Sequence, residues 1–182
     1  MSYRENLKSQ IYEEYAKVTY SYTCHWIHVD RLVKCNSILK KVEIVLTSVT
    51  ATAVISYLCV PKKWLLLISA IISAISIAVS IILQSTNYDE LITKHRKMAN
   101  DLWLIREKYL CLLTDFDQLS EEQITLKRDD LTQSVSDINV SELPTNQKDY
   151  KKAQKKLKNE EYQFFSSEEI DKMLPKYLRK NN

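Results

Sequence analysis

Residues 44–83 read IVLTSVTATAVISYLCV-PKK-WLLLISAIISAISIAVSIIL, and this stretch decides the fold. The first run, Ile44 to Val60, holds 17 residues without a charge, and the second, Trp64 to Leu83, holds 20. Twenty helical residues rise about 30 Å, the thickness of a bilayer's hydrocarbon, and the shorter run is still long enough to cross. Only Pro61, Lys62 and Lys63 separate the two, so the helices must run antiparallel. A core helix of a soluble protein keeps one charged face; neither run has one. The stretch reads as a two-span transmembrane hairpin. The first run begins more than forty residues from Met1, so it is not read as a cleaved signal peptide.

The flanks orient it. Arg31, Lys34, Lys40 and Lys41 precede the first span, and Lys94, Arg96 and Lys97 follow the second, against Lys62 and Lys63 in the turn. Positive residues collect on the cytoplasmic side, so both termini are expected there. Tyr57 and Trp64 stand near the turn, where interfacial aromatics anchor a span.

Composition narrows the rest. The 182 residues contain no glycine and only three prolines, Pro61, Pro144 and Pro175. Glycine-dependent phosphate and dinucleotide loops are therefore excluded, and the tight hairpins of an all-β fold are disfavoured. Cys24, Cys35, Cys59 and Cys111 form no CxxC pair and read as reduced thiols. A net charge of +3 does not argue for direct nucleic-acid binding. The expected fold is all-α: an integral membrane hairpin with long cytoplasmic helices on either side.

Four segments follow from the pattern. Residues 1–41 form an amphipathic helix, with Ile11, Tyr15, Val18, Tyr22, Val29, Leu32 and Leu39 at three-to-four spacing and His25 and Asn36 in the same seam. Residues 42–83 form the hairpin. Residues 84–119 form a heptad helix expected to continue the second span without a break, its stripe running Tyr88, Leu91, His95, Met98, Leu102, Ile105, Tyr109, Leu112, Phe116, Leu119. Residues 120–182 form a helical tail. It opens on the capping box Ser120 to Gln123, breaks at Pro144, carries a lysine-rich helix over 148–163, and begins a last short helix at a second capping box, Ser166 to Glu169.

Three groups of residues are candidates for function. Ser69, Ser73, Ser76 and Ser80 fall within about 60° of one another on a helical wheel, and Ser48, Thr52 and Ser56 within about 80°. Each stripe is a pore-lining or a helix-packing face, since small residues are common where membrane helices touch. Leu91, His95, Met98, Leu102, Ile105 and Tyr109 form a seam for oligomerisation or for a cytoplasmic bundle. Lys148, Lys151, Lys152, Lys155, Lys156 and Lys158 are a solvated helix face, or a patch for an anionic ligand or lipid. His25 and His28, three residues apart, share a helix face and are followed by Asp30, but no third ligand has a metal-site spacing, so neither metal nor cofactor is expected. No nucleophile, acid–base pair or phosphate loop stands out, and the chain is not expected to be an enzyme.

The order of elements, with His95-x3-Ala99-x3-Trp103 and then Ile105-Arg106 after the second span, resembles the SLATT family, the two-span effector domains of prokaryotic defence islands. The resemblance covers about residues 5–120. The tail, with Tyr150-x2-Ala153 and the run from Glu169 to Pro175, is similar to the subfamily found beside reverse transcriptases. The resemblance implies an effector in the bacterial inner membrane that oligomerises and permeabilises or depolarises it when a nucleotide signal or a partner protein arrives. It also implies a cyclic-nucleotide-signalling or reverse-transcriptase system as partner, beside the lipid bilayer and further copies of the chain. The rival expectation is a membrane-anchored scaffold that recruits a cytoplasmic partner. A holin-like lysis protein would hardly need about 100 residues after its last span.

Overall fold

A computed structural model of the chain describes residues 2–59, 62–140, 143–160, 165–175 and 179. Every regular element among them is helical. Helix α1 (Tyr3–Cys59) is unbroken over 57 residues, about 85 Å, and joins the amphipathic segment to the first apolar run. No glycine or proline interrupts it, and those are the residues that most often would. Helix α2 (Lys63–Thr86) returns antiparallel, and α3 (Tyr88–Thr114) follows it. Both α2 and α3 pack along α1, whose register opposite them holds throughout. Thr47 meets Ser76, Glu43 meets Ser80, Cys35 meets Tyr88, and Asn36 meets Asp89. At the far end, Arg4 donates to the carbonyls of Phe116 and Leu119 at 2.6 and 3.1 Å.

The expected continuity of the second span with the heptad helix is interrupted at one residue. Asn87 has φ 44° and ψ 54°, the left-handed region, and separates α2 from α3. A Cβ makes this conformation costly, and asparagine tolerates it better than other residues with one. In a chain without glycine, Asn87 takes the place a glycine often fills at a helix C-terminus. The single rod joining membrane and extramembrane parts is therefore α1.

A 3-10 turn, Phe116–Gln118, reverses the chain into α4 (Glu121–Val140). Ser120 opens α4 with the expected reciprocal cap: its N–H donates to Gln123 Oε1, and its Oγ accepts from Gln123 N. Helix α4 packs on α3 and α1. Leu7, Ile11, Val18, Leu102, Ile105, Tyr109, Leu112, Phe116, Ile124 and Leu131 form their shared core. Helices α5 (Gln147–Asn159) and α6 (Ser167–Met173) complete the chain, and the Ser166 capping box is present at the latter. The lysine-rich helix ends at Asn159, and the remainder of its expected range, 161–163, lies outside the described residues.

Among the described residues, the apolar runs pack on each other and are otherwise uncovered. In α1 no residue of the most apolar window is buried, and in α2 the one buried residue is Ser69. Leu58 is 78% exposed, and Ile44 and Leu67 each 64%. A contiguous apolar surface of this size is untenable in water and suited to lipid. The two helices are long and apolar enough to cross a membrane.

Candidate functional site

All three histidines of the chain converge on one point of the extramembrane bundle. His25 and His28 lie one turn apart on α1, and His95 stands opposite on α3. His25 is fully buried and His95 is 3% exposed. Their Nδ1 atoms approach to 2.9 Å, so one ring carries its proton on Nδ1 and the other accepts it. The His28 ring stacks on His95 with centroids 4.2 Å apart.

The third wall comes from α5. Asp149, with no exposed surface, accepts from His28 Nδ1 at 2.7 Å and from Arg31 Nη2 at 2.9 Å. Both bonds reach Oδ2; Oδ1 has no hydrogen-bond partner among the described residues. A buried carboxylate costs several kcal/mol of desolvation unless paired and hydrogen-bonded. Here the guanidinium and the imidazole supply the pairing. Asp149 also stands in the first turn of α5, where the helix dipole favours an anion, and its N–H donates to the capping Asn146 side chain. Ala153, one turn on, is fully buried against Cys24 and Ile27, and Tyr150 stacks on Tyr20. Thus the contacts that hold α5 on α1 include one buried carboxylate, one small apolar contact and one ring pair.

His95 titrates abnormally. Burial is the main reason its pKa falls from 6.5 to about 4. The charges of His28, His25 and Arg31 add to the fall, and Asp149 opposes it. His95 therefore resists protonation at neutral pH. Among the described residues no group of three or more His, Cys, Asp or Glu side chains is placed to hold a metal ion. Asp30 is exposed and lines the groove between α1 and α5 with Arg31 and Lys34.

The other singled-out residues separate. His95, Met98, Leu102, Ile105 and Tyr109 are buried and Leu91 half-buried, and the partners of this seam are α1 and α4 of the same chain. Of the hydroxyl stripes, Ser69, Ser73, Ser76 and Ser80 face α1: Ser69 is buried and the others half-buried. Ser80 donates to Glu43, and Ser76 lies 3.4 Å from the Thr47 hydroxyl. Ser48, Thr52 and Ser56 point away from α2 and are exposed, each donating to the carbonyl four residues back. The two stripes therefore do not meet inside the hairpin. Of the six lysines only Lys156 is half-buried; Lys148, Lys151, Lys152, Lys155 and Lys158 are exposed.

Sequence reasoning passed over Asp149 and Arg31. The signal was present: Asp149 is the sole acid between Lys148 and Asn159, and a lone carboxylate three residues after Asn146 marks a helix start.

Fold and site define a class: an all-α domain with a two-span apolar hairpin and a helical extramembrane stem, its tail helix latched by a buried carboxylate. The model of the SMODS and SLOG-associating 2TM effector domain family 4 matches residues 7–169. The chain belongs to this family of two-span effector domains. No curated protein and no solved structure matches it.

Proposed function

We propose that this protein is an effector of prokaryotic anti-phage immunity. It sits in the inner membrane with both termini in the cytoplasm. A nucleotide signal or a partner protein, from a cyclic-nucleotide-signalling or reverse-transcriptase system, would release its tail, drive oligomerisation and permeabilise or depolarise the membrane. The work is mechanical and needs no catalytic residue. The observation that carries this reading is the unbroken α1, which runs from the latch at His28 and Arg31 into the first span. Undocking α5 or repacking α4 rotates or tilts α1 as a rod, and the span moves with it.

The outward hydroxyls of α1 suit such a change. In lipid, Ser48, Thr52 and Ser56 satisfy their donors on their own backbone, so a resting chain tolerates them there. In an oligomer the same stripe can turn to a second copy or to water. The test is dye release from liposomes carrying the full chain, with and without the combined Ser48→Val, Thr52→Val, Ser56→Val substitution. Valine inserts at least as readily as serine, while an apolar lumen closes by dewetting. The triple variant should reach the membrane at normal levels and release at least about tenfold less dye. No release from the wild-type chain under any trigger, with a soluble partner still recruited, would establish the scaffold instead.

A further inference from the structure

Helices α1 and α5 enclose a cavity of about 210 Å³ on the membrane-proximal side of the Asp149 latch, lined by Ile27, Asp30, Arg31, Lys34, Lys152 and Lys156. Helical spacing builds it. Arg31 and Lys34 are three apart on α1, and Lys152 and Lys156 four apart on α5, so each pair shares a face. Docking α5 sets the two pairs against each other, with Asp30 the one acid of the lining among the described residues. Lys34 does not form the i,i+4 ion pair that Asp30 offers it, and neither Lys34 nor Lys152 has an ion-pair partner among the described residues. Arg31 gives Nη2 to Asp149, but its buried Nε has no hydrogen-bond partner among them. Four cations thus line one small cavity beside one carboxylate, and two of them, Lys34 and Lys152, have no ion-pair partner among the described residues.

We infer that this cavity is a binding site for a soluble phosphate-bearing anion distinct from the activating signal, which bridges α1 and α5 and clamps the tail helix in its docked, resting position. The size selects the group. Pockets for whole drug-sized ligands begin at about 300 Å³, so the cavity takes a phosphoryl or diphosphate group and leaves the rest of the molecule outside. Among the described residues Ile27 is its one apolar wall and no aromatic ring lines it, so recognition rests on the phosphate. Its depth selects the source. Lys34 lies ten residues before Ile44, about 15 Å along α1. A headgroup layer adds only about 5–7 Å per leaflet beyond the hydrocarbon, so a lipid phosphate falls short. Because the ligand contacts both helices, it binds the docked state alone. At a hundred times its dissociation constant it should raise the docked-to-undocked ratio about 100-fold.

The binding claim stands whether or not the spans open a pore, and its test reads binding directly. The full chain is placed in nanodiscs of zwitterionic lipid and titrated with inorganic pyrophosphate by calorimetry at low salt. Saturable binding of one pyrophosphate per chain is expected, weakening steeply as salt rises. The double variant Lys34→Ala, Lys152→Ala should lose at least about tenfold in affinity, and the control pair Lys151→Ala, Lys155→Ala on the open face of α5 should keep it within about twofold. Hydrogen exchange of α5 in each variant checks that the helix is still docked. Three outcomes overturn the proposal: no saturable binding up to about 1 mM pyrophosphate, equal losses in both pairs, or binding that appears only when anionic lipid replaces zwitterionic lipid. The first denies the site, the second makes it a diffuse field, and the third makes it a lipid surface.

Discussion

Replacing Asp149 with alanine should undock α5 while leaving the bundle beneath it folded. Asp149 has no exposed surface, and its Oδ2 accepts from both His28 and Arg31. Truncating one partner of a buried charged pair costs about 3–5 kcal/mol, because the other is left desolvated and alone. The apolar contacts of α5 described beside it are small: the buried methyl of Ala153 and the Tyr20–Tyr150 ring pair at 5.8 Å. Burying Ala153 contributes about 1 kcal/mol and an aromatic pair about 0.5–1.5 kcal/mol. Together they are smaller than the loss, so the docked-to-undocked ratio should fall by roughly two to four powers of ten. A 13-residue helix released into water is too short to stay folded. Hydrogen exchange on the full chain in nanodiscs should therefore show the amides of 147–159 losing protection, while those of 98–112, behind the Leu102–Leu112 core, keep theirs. Asp149→Asn should fall between, since the amide oxygen still accepts from Arg31. Unchanged protection of α5 in Asp149→Ala would refute the latch and show that α5 is held by contacts other than this carboxylate.

The other expectations are shorter. His95, pushed down to about 4, is neutral in both folded and unfolded chains above pH 6.5, so it carries no pH dependence there. As pH falls from 6.5 toward 4 the unfolded chain takes a proton that folded His95, buried against His25, His28, Arg31 and Asp149, refuses, and stability drops by up to about 3 kcal/mol. Melting of the extramembrane bundle against pH should show this loss, and His95→Gln should remove it; an identical pH curve in that variant would rule the histidine out as its source. Asn87→Ala puts a less tolerant residue at φ 44° and should cost about 1–2 kcal/mol or convert α2 and α3 into one continuous helix, which spin-label distances from α2 to α3 would detect as a lengthening. Leu102, 2% exposed in the α1–α3–α4 core, tolerates no charge: Leu102→Asp should cost several kcal/mol and abolish the cooperative melt of the bundle without preventing membrane insertion, measured by calorimetry and by membrane fractionation.

The hairpin, the heptad seam and both serine capping boxes were legible in the sequence because each rests on neighbours within a few turns. Apolar length, three-to-four spacing and a Ser-x-x-Gln or Ser-x-x-Glu start are properties of one segment, and physical chemistry assigns them without knowing what lies opposite. The seam histidine His95 was legible for the same reason, since its phase is that of Leu102 and Tyr109. Facing direction was not. Ser48 and Thr50 on α1 differ by two residues, and hydropathy alone does not say which of them turns to α2. The opposing surface decides, and it selects Thr50 while leaving Ser48, Thr52 and Ser56 outside. Asn87 was hidden too, because a left-handed residue inside an otherwise helical pattern has no periodicity of its own. Asp149 lay furthest from reach. Its partner His28 stands 121 residues away in the chain, and in its own helix it is one acid among lysines. Only when α1, α3 and α5 pack together is that carboxylate taken out of water, and only then does its charge require His28 and Arg31.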